Sequence, residues 1–206
     1  HIRAYGLKAA ILRHLGRTDK AIQLVAFAKS KCDPLDVRLM AEQWLTTKEP
    51  KAGQTLFATM NVHPATAQEV AAEYYNCGLW SDGLAVLQQA IQSAPDKATI
   101  SPLVYYYLGY FADKLGDQAI ANEYRQQATL QSPDYVFPFQ EEAITVLRRA
   151  IEVNPKDARA PYYLGNLLFD LQPEEAVTLW EKSVTLDPQA ITLRNLAQAY
   201  SHKTGD

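Results

Sequence analysis

The chain has 206 residues, of which 48% are apolar and 21% charged, with a net charge of −3. This is the balance of a folded domain or repeat array, not of a disordered tail. It lacks the strongly basic character by which nucleic-acid binders are usually recognised. No stretch approaches the roughly 18 uninterrupted apolar residues of a membrane span. Cys32 and Cys77, the only cysteines, are unclustered, make neither a disulfide framework nor a metal motif, and read as small buried apolar side chains.

Taken in order, residues 2–34 read as a helix-turn-helix unit, with small residues at Ala9, Gly16, Ala21 and Ala28 and a closing Pro34. Residues 35–64 read as a degenerate unit. Pro50 and Gly53 fall between its helices, and its second helix, around Leu56 to Met60, is predicted to be short. Residues 64–97 carry Val70-Ala71 and Tyr74 on a first helix, Gly78 at the turn, and Ala90 five residues before Pro95. Leu84, Leu87, Ala90 and Ile91 share one face of its second helix. Four extra residues, Lys97 to Ile100, separate this unit from 102–135, where Leu108-Gly109, Ala112, Gly116, Ala121, Ala128 and Pro133 repeat the pattern.

Pro133 to Pro138 is too short and too proline-rich for a helix. The spacing therefore predicts a half unit over 140–155, with a second helix, Glu141 to Val153, that has no first helix, and a local break near residues 133–140. Residues 157–188 form a full unit with Leu164-Gly165, Ala176 and Ser183 five residues before Pro188. Residues 190–206 read as a truncated unit: a first helix from Ile191 to His202, then a turn at Thr204-Gly205-Asp206. The chain therefore reads as one repeat domain cut from a longer protein. Gly109 and Gly165 are predicted to sit where two helices approach closely.

The spacing of Tyr163-Leu164-Gly165-Asn166, Glu175-Ala176-Val177 and Leu186-Asp187-Pro188 resembles the tetratricopeptide repeat family, as does Tyr107-Leu108-Gly109-Tyr110 with Leu115-Gly116-Asp117. The resemblance covers most of the chain and is strongest from about residue 64. It implies an all-α, α-α superhelix of antiparallel hairpins whose first helices line a concave surface. Carrying the family's inward positions onto this sequence gives Arg3, Arg13 and His14, then Arg38 and Glu42, then Gln68, Tyr75 and Asn76. Tyr106, Tyr110, Asp113 and Lys114 follow, then Arg159, Tyr162, Asn166, Phe169 and Asp170, and finally Arg194 and Gln198. The groove is expected to centre on Tyr106, Tyr110, Tyr162 and Asn166. Asn166 and Asn195 occupy asparagine positions of the family's carboxylate clamp, but Tyr162 stands where its lysine should be. The stretch from Tyr135 to Ser183 is also similar to the helical part of large bacterial proteins that carry a β-rich, carbohydrate-enzyme-like domain, which would lie N-terminal to residue 1.

Residue types able to do chemistry are present without the spacing chemistry needs. His1, His14, His63 and His202 match no metal-ligand motif, and His14 and His63 read as surface or capping residues. Neither a nucleophile elbow nor a phosphate-binding glycine loop occurs. The acidic pairs Glu141-Glu142 and Glu174-Glu175 sit in first turns of predicted helices, where they complement the helix dipole. The expected function is a non-catalytic scaffold holding a protein or peptide partner, without metal or cofactor, with no nucleic-acid or membrane partner and a cytoplasmic setting favoured. The alternatives are an accessory helical domain of a carbohydrate-processing protein and an architectural or self-association module.

Overall fold

A computed structural model of the protein describes residues 1–62 and 64–204. His63 and the Gly205-Asp206 turn expected from the sequence lie outside the described residues. Twelve α-helices and one 3-10 turn are present, and no strand occurs among the described residues. None of these helices is long and apolar enough to cross a membrane. The β-rich domain implied by the second resemblance thus has no part in these residues.

The chain divides into two compact units, residues 1–100 and 101–206. The first contains α1 (Ile2–His14), α2 (Thr18–Lys31), α3 (Val37–Thr47), α4 (Pro50–Val62), α5 (Pro64–Cys77) and α6 (Trp80–Ser93), followed by the 3-10 turn Lys97–Thr99. Consecutive helices pair as hairpins, and α3 packs against both α1 and α5. The core begins with Ala9, Val25, Ala28 and Leu39, against which Ile2, Tyr5 and Leu24 pack. It continues through the fully buried Leu56, Val70, Ala71, Val86 and Leu87.

The expected short second helix of the 35–64 unit is a full helix. α4 spans 13 residues, and Pro50 opens it instead of breaking it, because the first helical position needs no amide donor and favours the proline φ. Gly53 lies within α4, not between helices. A Cβ there would stand 2.9 Å from the Trp44 ring, so the missing side chain lets Trp44 of α3 lie against α4. The four residues Lys97 to Ile100 form the 3-10 turn and its cap, with Asp96 accepting a hydrogen bond from the Ala98 amide at 2.9 Å.

The second unit contains α7 (Pro102–Lys114), α8 (Gln118–Leu130), α9 (Glu142–Val153), α10 (Arg159–Leu168), α11 (Pro173–Leu186) and α12 (Ala190–Thr204). α7 pairs with α8 and α10 with α11, while α12 packs on α11. Residues 131–141 are not helical, as the two prolines predict. α9 has no first helix of its own and instead packs against both α7 and α10. Its buried residues Ala143, Val146, Leu147 and Ala150 fall at helical spacing on one stripe. α7 is buried along its length from Pro102 to Ala112, so its four tyrosines cannot be sorted into core and surface by helical period alone.

Gly165 is a point of close approach. A Cβ there would lie 2.5 Å from Trp180 Nε1 and 3.1 Å from the Ala176 carbonyl oxygen. Gly109 repeats this against α8, with Arg125 Cγ at 3.0 Å and the Ala121 carbonyl oxygen at 3.1 Å. Gly116, at φ 84°, makes the left-handed turn between α7 and α8, a conformation costly for other residues.

Candidate functional site

The aromatic residues expected at the centre of a groove are packed inside the second unit. Tyr106 is 1% exposed, Tyr162 4% and Tyr110 7%. The Tyr106 ring meets that of Tyr163 edge-on at 6.2 Å. Its hydroxyl donates to Asp157 Oδ2 at 2.8 Å, while Asp157 Oδ1 accepts from the backbone amides of Arg159 and Ala160 and so starts α10. Burial pushes the Asp157 carboxyl up, against the opposing pull of these donors. Tyr162 lies against Tyr163 at 5.2 Å. Asn166 accepts from Trp180 Nε1 and from Asn195 Nδ2, each at 3.0 Å. The two asparagines of the expected clamp are therefore bonded to each other. Asp113 is likewise drawn inward, accepting from Arg125 and from Arg149 Nε at 3.0 Å.

Of the other expected residues, Gln68 and Glu42 are buried, and those that follow lie at or near the surface. Lys114 is exposed, with its ammonium 5.1 Å from the Tyr110 ring centre. Asp170, Asn76 and Arg194 are exposed, whereas Tyr75 is half-buried with its ring edge-on to Trp80. Arg38 is held by Asp36 and lies 3.9 Å from Glu73. The structure thus brings Tyr106 and Tyr162 together around Tyr163, but as a core and not as an open wall. Sequence spacing placed them at equivalent repeat positions without showing that both would be buried beside Tyr163.

The first unit holds a network that repeat position only half announced. Arg13 binds Glu42 through Nε and Nη2 at 3.2 and 3.0 Å, and Asp82 through Nη1 and Nη2 at 3.0 and 2.9 Å. Tyr74 donates to Glu42 at 2.9 Å, and His14 Nε2 lies 2.7 Å from Asp82. Burial alone would lower the Arg13 pKa, but the two carboxylates outweigh it and the net shift is upward. Burial raises Glu42 despite Arg13 and Tyr74. Asp82 also suffers burial, yet the bonds from Arg13 and His14 leave it lowered. Arg13, His14 and Glu42 were legible as inward positions, but Asp82, on a second helix, was not.

These titratable groups satisfy one another across α1, α3, α5 and α6, which is a structural use of charge. The cysteines are not the buried side chains expected from the sequence: Cys32, just past the end of α2, is exposed and Cys77 is half-buried. Burial, with help from Glu73 and Glu42, pushes the Cys77 thiol up, away from the thiolate a nucleophile requires. Among the described residues, no three His, Cys, Asp or Glu side chains cluster as metal ligands would.

One open concavity stands out within the first unit. Trp44, Gly53, Phe57, Val62 and Pro95 give it apolar walls, Gln54, Asn61 and Gln89 add amides, and its volume is about 990 Å³. Asp96 is the one formally charged residue among those lining it. Trp44 meets Phe57 edge-on at 5.0 Å and carries the Lys48 ammonium 4.3 Å above its ring. The groove runs beside the second helices α4 and α6, so a reading confined to first-helix positions passes over it. Its sequence signal is Gly53 nine residues after Trp44, a small residue where an aromatic needs room.

The fold and these surfaces define a helix-hairpin repeat protein. Within it, residues 140–172 match the family model described as TPR repeat. No curated protein matches the sequence. Among solved structures, the chain is similar to MamA at 21% identity, covering 95% of this chain and 84% of that one, with a TM-score of 0.31. It is also similar to YrrB, titled a TPR protein with an unusual peptide-binding site, at 15% identity over 94% and 90% of the two chains, with a TM-score of 0.27. A third is TTC0263, a thermophilic TPR protein of Thermus thermophilus, at 19% identity over 97% and 99%, with a TM-score of 0.29. Superpositions this loose carry no argument about partners.

Proposed function

We propose that the chain is a non-catalytic scaffold that binds a segment of a protein partner in the groove beside α4 and α6. The observation that carries this reading is the groove itself. Its apolar walls can bury aliphatic or aromatic side chains, and its amides can bond a peptide backbone. Its volume matches a few side chains of a peptide, and no nucleophile-base pair lines it. Within the second unit, the exposed Lys114 on α7 and Arg194 on α12 are further polar groups that a partner could meet.

The test places a photo-cross-linking amino acid at Ala58, an exposed residue lining the groove, and a second one at the exposed Lys20 on α2. Irradiation in the source cells should give discrete protein adducts from position 58 that position 20 does not give. Ala58→Arg should reduce binding of the partner so identified while leaving the circular dichroism spectrum unchanged. Identical adduct patterns from both positions, or undiminished binding by Ala58→Arg, would sink the reading.

A further inference from the structure

The irregular segment between α8 and α9 is an unusual surface. Tyr135 is 91% exposed, Phe137 73% and Phe139 49%, whereas Val136 between them is buried at 8%. Burial therefore alternates along the segment: Val136 anchors it, and the three rings stand outward. Tyr135 also takes a left-handed backbone, φ 59°, uncommon and unfavourable for a bulky aromatic residue. Burying aromatic side chains stabilises a fold, and this fold leaves three of them in water. Neither packing nor backbone preference accounts for such an arrangement.

The charge along this segment of the chain has one sign. From residue 126 to residue 147 there is no Lys, Arg or His, while Asp134, Glu141 and Glu142 flank the aromatic run. Asp134 and Glu141 are exposed. Asp134, the residue before the first ring, accepts a hydrogen bond from the Ser132 hydroxyl at 3.0 Å, which fixes its carboxylate. Glu141, at the start of α9, also complements the helix dipole, a structural role compatible with a second one. The cations nearest in the unit are engaged elsewhere: Arg125 and Arg149 with Asp113, Arg148 with Glu175, and Arg159 with Asp187 at 3.6 Å.

Aromatic faces carry negative charge and attract guanidinium and ammonium groups. Carboxylates at either end strengthen the same preference. We propose that residues 134–141 form a docking strip for an arginine-bearing segment of a partner protein, with guanidinium planes on Tyr135, Phe137 and Phe139 and with Asp134 and Glu141 pairing the flanking cations. Planar guanidinium groups fit better than ammonium groups because they stack on rings and bond carboxylates through two donors at once. The strip rests on the scaffold reading but lies in the other unit from the groove, so cross-linking at Ala58 and peptide binding at the strip succeed or fail separately.

The experiment uses the full chain and a fluorescein-labelled decapeptide of alternating arginine and serine, titrated by fluorescence anisotropy. A peptide with glutamine in place of each arginine serves as the comparison. The arginine peptide should bind and the glutamine peptide should not. Tyr135→Leu with Phe137→Leu keeps apolar bulk and every charge but removes two rings, and should weaken binding about tenfold. Tyr135→Phe with Phe137→Tyr keeps the rings and should bind as the native chain does. Asp134→Asn with Glu141→Gln should weaken binding severalfold, with the difference shrinking at high salt. Absence of arginine-peptide binding, equal binding of the glutamine peptide, or undiminished binding by the leucine pair would each overturn the proposal. The last result would mean that simple attraction to an acidic chain accounts for the signal.

Discussion

The two units place charge inside a helical stack in opposite proportions. In the first, the Arg13 guanidinium serves two carboxylates, Glu42 and Asp82. In the second, the Asp113 carboxylate serves two guanidinium groups, Arg125 and Arg149. Both arrangements tie three helices together, α1, α3 and α6 in one unit and α7, α8 and α9 in the other, but they fail differently. Loss of the shared partner strands two buried acids in one unit. In the other, loss of Arg149 leaves Asp113 still paired with Arg125.

The sharpest way to break this comparison is Arg13→Met. It leaves Glu42 and Asp82 buried without their cation and should destabilise the chain by about 3–5 kcal/mol, read as a lower midpoint of urea unfolding. Arg149→Met, at a site 35% exposed, should cost less than about 1 kcal/mol in the same assay. Similar losses for both variants would show that the two networks are equivalent after all.

Asp82→Asn should cost about 3 kcal/mol near neutral pH, and its pH dependence has a definite sign. The Asp82 carboxyl lies below the ordinary carboxylate range in the folded chain because the bonds from Arg13 and His14 outweigh the opposing effect of burial. Its stabilising contribution is therefore complete above the unfolded value of about 3.9. That contribution disappears as the pH falls through the lower folded value. The gap in thermal midpoint between native chain and variant should stay open down to about pH 5 and close below about pH 4. A gap independent of pH would mean that Asp82 acts through shape alone.

Smaller effects are expected from close packing in the second unit. Gly165→Leu should cost about 1–3 kcal/mol, because its first added carbon already meets Trp180 Nε1 at 2.5 Å and that nitrogen is tied to Asn166. Thermal denaturation measures this, and an unchanged midpoint would refute the close approach of α10 and α11. Tyr106→Phe should cost about 1–2 kcal/mol by taking one donor from the buried Asp157 while leaving its backbone donors in place. A loss much larger than this would mean that Tyr106 alone holds Asp157 in position.

Much of the architecture was legible because it is local. Apolar spacing located the helices, glycines located turns such as that at Gly116, and Pro133 with Pro138 located the break before α9. Pro50 misled because the same residue that ends one helix can open another, and only the position of its neighbours decides which. Gly53 misled for a related reason: a glycine within a helix signals a close neighbour, here Trp44, but the sequence does not say that the neighbour exists.

The surfaces were less legible than the helices. Tyr106, Tyr110 and Tyr162 look the same in sequence whether they line a groove or fill a core. Which of the two they do is settled by residues distant in the chain, as when Tyr106 meets the Tyr163 ring and the Asp157 carboxylate. The aromatic run from Tyr135 to Phe139 was visible as an interruption, but nothing in the residues said that its rings would stay in water.

By itself, then, the sequence determined that the chain is helical, where its hairpins turn and where its repeat breaks, because those properties follow from periodicity and backbone preference over a few residues. The tertiary structure alone decided which tyrosines are covered, which carboxylates share an arginine and where an open groove remains. Those outcomes depend on contacts between residues far apart in the chain, such as Arg13 with Asp82 and Tyr106 with Asp157, and no local pattern fixes which distant side chains meet.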